Sequence, residues 1–375
     1  MKKSIKKIIK KIFNKSKIKN FIIMESRPDF SDNTKRIFDY LIENNYNQKY
    51  KIIWLLHDNK KFKKIKINNV KFISDKSKFI KFYYLIHAKY LINCNREIFK
   101  INNKTISINL WHGTILKHLE NLGLIEHENI NYCLCPSKFY LDIYEKELHV
   151  PKEKLVIFNN PRNDYLFSNK CNLSDFFGKK YSKYIIWMPT FRKAVGKRID
   201  SDYNFSMGIP IIQSINDAKK LNSILEELDI LMVIKPHFAQ DMSVFKVNEL
   251  SNIKVIYSED LIEKNIELYE FLGKFDALIT DYSSVYFDFL ITNKSIGFTI
   301  DDMKNYAENK GFIFDDVKKY MPGMKISNMN QMKKFIEDLK NSIDEYDSER
   351  KEICDLVNTY KDDKNAERIV KFLGI

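Results

Sequence analysis

The sequence predicts an α/β protein made of two doubly wound, Rossmann-type domains and opened by a basic amphipathic helix. Three observations carry that reading. From residue 21 onward, short apolar, β-branched runs alternate with longer amphipathic ones. These runs fall into two sets, separated by a polar stretch around residues 168–183 that has no apolar period. The length of 375 residues suits two domains better than one. Strands alternating with helices imply parallel sheets of βαβ units, and two sets imply two such sheets.

The chain begins with nine lysines and no acid in its first 20 residues. Ile5, Ile8, Ile9, Ile12 and Phe13 recur at the spacing of one helical face, with Lys2, Lys3, Lys6, Lys7, Lys10 and Lys11 on the other. Such a helix fits an anionic membrane surface, where each Lys contributes about 1 kcal/mol. A secretory signal needs an unbroken apolar stretch, which the Lys pairs interrupt. A nucleic-acid arm would use the charge but not the isoleucine stripe. No run of 18 apolar residues follows, so no membrane span is expected. Removing those nine lysines from the net charge of +14 leaves +5 on the rest.

The first set of expected strands is Phe21–Glu25, Lys51–Leu56, Val70–Ile73, Tyr90–Asn93, Ile106–Leu110, Tyr132–Cys135 and Leu155–Phe158. The second is Tyr184–Met188, Ile230–Lys235, Val255–Tyr257, Ala277–Thr280 and Ser295–Thr299. Amphipathic stretches between them predict helices over Asn33–Asn44, Ser77–Ile86, Ser137–Leu148, Ala218–Leu228 and Asn265–Phe271. From about Gln331 the text is helical only, over Met332–Leu339, Glu349–Thr359 and Asn365–Phe372. The expected domains are residues 1–20, the basic helix; 21–175 and 176–345, the two Rossmann-like units; and 346–375, closing helices.

Composition removes other classes. With Gly 10 and Pro 8, collagen-like and linker-dominated chains are out, and 27 Phe and 21 Tyr exclude a disordered tail. The five cysteines are odd in number and scattered, which suits a reducing compartment rather than a disulfide scaffold. Cys133 and Cys135 share one face of a strand but have no second Cys/His pair at zinc spacing. Asp301-Asp302 and Asp315-Asp316 read as turn and helix-start residues rather than a metal site. No metal ligands are expected.

In open parallel sheets, ligands bind beyond the carboxyl ends of the strands, so polar residues just after strands are the candidates for chemistry. Four stations stand out. After the strand ending near Leu110 come Trp111-His112-Gly113-Thr114 and Lys117, where a neutral His112 can take a proton from a hydroxyl and Gly113 admits a ligand to the backbone. His118, His127 and His149 lie in helical or loop text and read as structural. After Met188 come Pro189-Thr190-Phe191-Arg192, a hydroxyl and a guanidinium suited to phosphate. Lys235-Pro-His237 follows the next strand with two further donors. Thr280-Asp281-Tyr282-Ser283-Ser284 leads into a helix containing Asp288; its free N–H groups can hold an anion without a glycine loop, and Asp281 or Ser283 caps that helix. The chain has neither G-x-G-x-x-G nor G-x-x-x-x-G-K-[ST], so the glycine-loop phosphate cradles are excluded.

Together these stations resemble the CDP-glycerol glycerophosphotransferase family of teichoic-acid primases and polymerases. Trp111-His-Gly-Thr114 with Lys117 is similar to its W-H-G-T-P-L-K, and Pro161-Arg162-Asn163-Asp164 to its G-x-P-R-N-D. Pro189–Arg192 is similar to P-T-[WF]-R, Lys235-Pro-His237 to [RK]-x-H-P, and Thr280 through Asp288 to T-D-Y-S-S-x-x-F-D. Tyr306 through Gly311-Phe312, then Pro322-Gly323, resemble Y-x-x-x-R-G-F and P-G. The order is the family's, over about residues 21–325. Ile115, Asn159, Phe238 and Lys310 depart from it, standing where the family has Pro, Gly, Pro and Arg.

The resemblance implies a GT-B fold whose two domains face a central cleft. It implies a CDP-polyol donor (CDP-glycerol or CDP-ribitol), a lipid-linked polyol-phosphate or glycan acceptor, and release of CMP at the cytoplasmic face of a membrane. No cofactor is implied, although the motifs do not decide a Mg²⁺ requirement, and no nucleic acid is expected. His112 is the expected base. Arg192, Lys235, His237, Ser283 and Ser284 are the expected diphosphate donors, with Thr190 assisting and Asp281 and Asp288 orienting or capping. Gly113, Thr114, Lys117 and Arg162 complete the expected substrate contacts; Arg162 and Asp164 equally suit a bracing role. A nucleotide-sugar glycosyltransferase would share fold and donor cations and differ only in the donor it turns over. A non-catalytic binding protein on the same fold would not need His112.

Overall fold

The computed structural model describes residues 3–62, 65–95, 98–119, 125–192, 205–237, 240, 242, 245–247 and 249–375. The chain divides into two compact units, residues 1–113, 119–164 and 359–375, and residues 114–118 and 165–358.

Unit 1 is built on a fully parallel sheet of β1 (Phe21–Glu25), β2 (Lys51–Leu56), β3 (Val70–Ser74), β4 (Tyr90–Asn93), β5 (Ile106–Asn109), β6 (Tyr132–Cys135) and β7 (Leu155–Ile157). The strand order is β3-β2-β1-β4-β5-β6-β7. Its helices are α1 (Lys3–Phe13), α2 (Asp32–Glu43), α3 (Lys78–His87), α4 (Leu141–Leu148) and the last of the chain, α13 (Asn365–Leu373). Both faces of the central strands are buried, so alternate residues serve two cores. Ile22, Met24 and Trp54 join Ile37 and Leu41 of α2 and Ile369 and Val370 of α13. Ile23, Ile53 and Leu91 face the other way, onto Tyr84 and Leu85 of α3.

Unit 2 repeats this wiring without repeating the sequence. Its strands are β8 (Lys183–Met188), β9 (Ile230–Ile234), β10 (Ile253–Val255), β11 (Ala277–Thr280), β12 (Ser295–Thr299) and β13 (Met324–Ile326), all parallel, in the order β10-β9-β8-β11-β12-β13. Helices α5 (Leu173–Phe177), α6 (Ile215–Glu227), α7 (Ser258–Glu263), α8 (Leu268–Leu272), α9 (Val285–Phe289), α10 (Met303–Asn309), α11 (Met329–Lys340) and α12 (Asp347–Val357) complete it. Its core sets Ile185, Trp187, Met232 and Ile279 against Leu221 and Leu225 of α6 and Phe335 and Ile336 of α11. In both units the order reverses beside the first strand, between β1 and β4 and between β8 and β11. The carboxyl ends at such a reversal are where a doubly wound sheet opens to a ligand.

The structure departs from the sequence boundaries in several places, and the basic helix expected as a separate element belongs to unit 1. The first unit ends near Asp164 instead of residue 175. The closing helices do not form a body of their own: α12 packs in unit 2, and the chain returns to unit 1 from Thr359. Asp164 is the reason for that return, because its buried carboxylate accepts from Asn365 N and Nδ2 (both 2.9 Å), Ala366 N (3.0 Å) and Arg36 Nε (3.3 Å). Asn159, at a position where the family has Gly, holds the same segment by exchanging hydrogen bonds of 2.8 and 2.9 Å with the backbone of Tyr360. Finally, β10 starts at Ile253, and β13 has no counterpart in the sequence reading. It lies beside Gly323, where a Cβ would fall 2.1 Å from Ile296 O.

The N-terminal helix forms as expected, but its apolar stripe splits. Ile9 and Phe13 pack on unit 1, with Phe13 edge-on to Phe82 at 5.1 Å, while Ile8 and Ile12 remain 58% and 65% exposed. Lys6 pairs with Glu126 at 2.6 Å and Lys10 donates to Asn129 Oδ1 at 3.2 Å. Lys2 and the side chains of Lys3 and Ile5 lie outside the described residues. No helix among the described residues is long and apolar enough to cross a membrane.

Asp164→Ala removes the acceptor that caps α13 and one of the carboxylates that Arg36 meets, Glu43 being the other. It is expected to lower unfolding free energy by about 3 kcal/mol, read as a lower urea midpoint at unchanged slope; an unchanged midpoint would contradict this role.

Candidate active site

His112 lies just beyond β5 in a turn that backbone strain makes specific. Trp111 adopts φ 51° and Gly113 φ 145°, the left-handed region that a side chain resists and glycine tolerates. Asn109 Oδ1 accepts from Trp111 N at 2.8 Å and Gly113 O accepts from Tyr144 Oη at 3.2 Å. Arg162 Nη1 bridges His112 O (3.0 Å) and Asp32 Oδ1 (2.8 Å). The bracing alternative for Arg162 is therefore the one the geometry presents.

The imidazole Nδ1 lies 3.4 Å from Cys94 O. A carbonyl only accepts, so Nδ1 carries the proton and Nε2 keeps its lone pair. Desolvation lowers the His112 pKa below 6.5, the Arg162 charge adds to this, and Asp32 and the Cys94 carbonyl oppose it. The ring is exposed to solvent on one side, and the lowered pKa favours its neutral form.

Unit 2 places its polar residues at the carboxyl ends of β8, β9, β11 and β12. The buried Asp281 carboxylate accepts from Thr190 N (2.9 Å), Thr190 Oγ1 (2.5 Å), Tyr282 N (2.7 Å) and Arg192 Nη1 (2.8 Å). Arg192 Nε and Nη2 grip Asp302 at 2.6 and 3.0 Å, and Nη1 also donates to Thr190 O at 2.7 Å. Four of the five guanidinium N–H groups are engaged. The charge is boxed by the rings of Phe205, Tyr282 and Tyr306 at 5.2, 5.3 and 5.1 Å. This moves Arg192 from the expected diphosphate ligand to an internal brace, with its cation set between two carboxylates; both hold its pKa far above the usual guanidinium range against desolvation.

Asp281 orients Thr190 and Arg192, as a fully buried group can. Asp288 is also fully buried and accepts from Tyr269 Oη at 2.6 Å, so it braces a helix instead of contacting the donor.

The other residues expected to meet an anion are Lys235, His237, Ser283 and Ser284. Lys235 is buried, its Nζ 3.3 Å from Ser258 Oγ, and desolvation brings its pKa down to about 8 against the opposing pull of Glu259 and Asp260. His237 is exposed and lies against the Phe191 ring at 4.9 Å. Ser283 and Ser284 are half-buried; Ser283 Oγ accepts weakly from Val285 N at 3.5 Å, and Ser284, at the capping position of the five-residue α9, makes no side-chain cap bond. Thr114 is buried with its hydroxyl unpartnered, and Lys117 Nζ donates to Tyr306 Oη at 2.9 Å. Residues 114–118 join unit 2 through the bridge Lys117–Phe312 and the bond from Ile313 N to Leu116 O (3.1 Å). Gly311 serves that crossing, because its φ of 73° and a Cβ 3.2 Å from His118 Cδ2 both oppose a side chain. Phe238 lies outside the described residues.

A family model described as CDP-Glycerol:Poly(glycerophosphate) glycerophosphotransferase matches residues 8–374. The chain belongs to that glycerophosphotransferase family. It is 25% identical to the teichoic acid glycerol-phosphate transferase of Staphylococcus aureus (strain NCTC 8325 / PS 47), covering 98% of each chain. It is 25% identical to the teichoic acid glycerol-phosphate primase of Bacillus subtilis (strain 168), over 78% of this chain and 74% of the relative. Among solved structures it resembles the wall teichoic acid polymerase TagF, with TM-score 0.75 and 18% identity over 98% of this chain and 93% of that one. Two doubly wound units in one chain are the GT-B-like organisation of that fold.

Within this glycerophosphotransferase, sequence reading missed Asp302, Tyr282 and Tyr306 as partners of Arg192, and Asp32 as the partner of Arg162. Asp302 was accessible by the strand-end rule, since it follows β12 as Asp281 follows β11. No described group of three or more His, Cys, Asp or Glu is arranged to hold a metal ion.

Arg192→Ala leaves Asp281 and Asp302 buried without their cation and is expected to cost unit 2 about 3–5 kcal/mol. His237→Ala, at an exposed ring, should leave the melting temperature within a degree or two. Comparable losses for both variants in thermal unfolding would refute the internal-brace assignment.

Proposed function

We propose that the chain transfers glycerol phosphate from CDP-glycerol to a hydroxyl of a lipid-linked acceptor and releases CMP, at the cytoplasmic face of a membrane. The observation that carries the reading is His112, with Nδ1 turned to the Cys94 carbonyl, in a chain of the glycerophosphotransferase family. The acceptor oxygen attacks the phosphorus that bears glycerol, the bond from that phosphorus to the CMP oxygen breaks, and Nε2 takes the hydroxyl proton. Lys235, His237, Ser283 and Ser284 supply the fixed donors that such a transfer needs, since phosphoryl transfer depends on positioning and electrostatic stabilisation.

The testing assay is CMP release from CDP-glycerol and from CDP-ribitol, with a lipid-linked polyol-phosphate or glycan acceptor, with and without Mg²⁺. Acceptor-dependent release from CDP-glycerol is expected, falling about 10²- to 10⁴-fold in His112→Ala. Release from CDP-ribitol alone would change the polyol. Silence with both donors in folded protein would replace the reading by a nucleotide-sugar glycosyltransferase. The pH profile carries two signs. Because the active base is neutral and its pKa is lowered, kcat/KM should fall on acidification only below 6.5. Because Lys235 binds as a cation, KM for the donor should rise as pH passes about 8; a flat donor KM there would remove Lys235 from the donor site.

The lipid-linked acceptor is matched by an apolar surface on unit 1. Ile8 and Ile12 of α1 are exposed, and so are Phe79, Ile80 and Tyr83 of α3, the helix whose Phe82 meets Phe13. Neither helix contains an acidic residue. An apolar face rimmed by lysines is the chemistry that an anionic bilayer surface attracts. Ile8→Asp with Ile12→Asp should weaken co-sedimentation with phosphatidylglycerol vesicles by about tenfold or more; unchanged sedimentation would detach this face from the membrane.

A further inference from the structure

We propose that Asn33 is a positioning residue for His112, fixing through one buried amide the peptide that carries the base. This inference rests on His112 being the base of the proposed transfer.

Asn33 lies in the first turn of α2 and is completely buried. Its Nδ2 faces Trp111 O (2.9 Å), Asn160 Oδ1 (3.2 Å) and Leu110 O (3.3 Å), and its Oδ1 accepts from Arg162 N at 3.1 Å. The orientation of the amide is forced. Two of its neighbours are backbone carbonyls that only accept, and one is a backbone N–H that only donates. Flipped, the amide would set oxygen against oxygen and nitrogen against N–H, and all of these groups are buried.

The targets of these bonds give Asn33 its role. Trp111 O belongs to the peptide that enters His112. His112 O belongs to the peptide that leaves it and is held by Arg162 Nη1 at 3.0 Å. The backbone N–H of Arg162 is in turn held by Asn33. One amide therefore fixes the entering peptide directly and anchors the residue that fixes the leaving one. The turn needs such restraint, because Trp111 has a left-handed φ of 51° and Gly113 supplies no side chain to lock the other side. Asp32 and Arg162 are the charged groups that bear on the imidazole, with Cys94 O as its hydrogen-bond partner. A shift of the turn changes the distance to all three.

The experiment compares wild type, His112→Ala, Asn33→Asp, Asn33→Ala and Asn160→Ala. CMP release gives kcat and donor KM, calorimetric binding of CDP-glycerol reports folded protein, and NMR titration of labelled histidine, assigned with His112→Ala, gives the His112 pKa. Asn33→Asp keeps the shape but aims a carboxylate at two carbonyl oxygens. Both Asn33 variants are expected to lose about 10- to 100-fold in kcat, with donor KM within twofold, and to raise the His112 pKa toward or above 6.5. A kcat within twofold of wild type with an unmoved pKa would overturn the proposal. So would a fall in kcat and a rise in donor KM together without a shift at His112, the result for a merely structural residue. If Asn33→Ala does not fold, Asn160→Ala, which removes one acceptor of the same amide, should move kcat and the His112 pKa in the same directions by a smaller factor, and no movement would overturn it. A wild type that does not turn over CDP-glycerol refutes the functional reading instead, and the histidine titration still decides the role of Asn33.

Discussion

The strained turn after β5 is the constraint on which the chemistry proposed for unit 1 depends. A histidine at the end of a parallel strand is a base only if its ring is held in one tautomer and its backbone in one conformation. Here the conformation is an unfavourable one, with Trp111 and Gly113 both at positive φ. It persists because buried polar groups from three separate segments, around Asn33, Tyr144 and Arg162, fasten its carbonyls. Strain at a functional turn is stable only when its surroundings over-determine it.

Unit 2 meets a related problem by charge. Its strand ends carry Asp281 and Asp302, two buried carboxylates that need a cation between them to offset the cost of burial. Arg192 is that cation. Its engagement is why the donor role is proposed for Lys235, His237, Ser283 and Ser284 instead. Lys235 is buried, with Ser258 at 3.3 Å and Glu259 and Asp260 pulling on its charge.

Much of this was legible in the sequence. Strands buried on both faces read as continuous apolar runs, and β1, β2, β4, β6, β11 and β12 fall within their expected bounds for that reason. The strand-end rule located His112, Lys235 and Asp281 without any structural information. Three kinds of feature were not legible. The three-residue β13 is too short for a period and is set by the close approach of Gly323 to Ile296. The return of α13 to unit 1 depends on Asp164 and Asn159, whose partners lie some two hundred residues away. The engagement of Arg192 was not legible because the sequence shows that a cation stands at a strand end, but not that a distant Asp302 will occupy it.

The central claim is that the fold presents His112 as a neutral imidazole with Nε2 unprotonated. Nitrogen-15 NMR of the labelled histidines in the full-length protein, above the titration of His112 and assigned with His112→Ala, reads this directly. The account predicts a protonated Nδ1 and a pyridine-like Nε2 for His112. A protonated Nε2 would contradict it, because the nitrogen assigned to accept the acceptor's proton would already carry one.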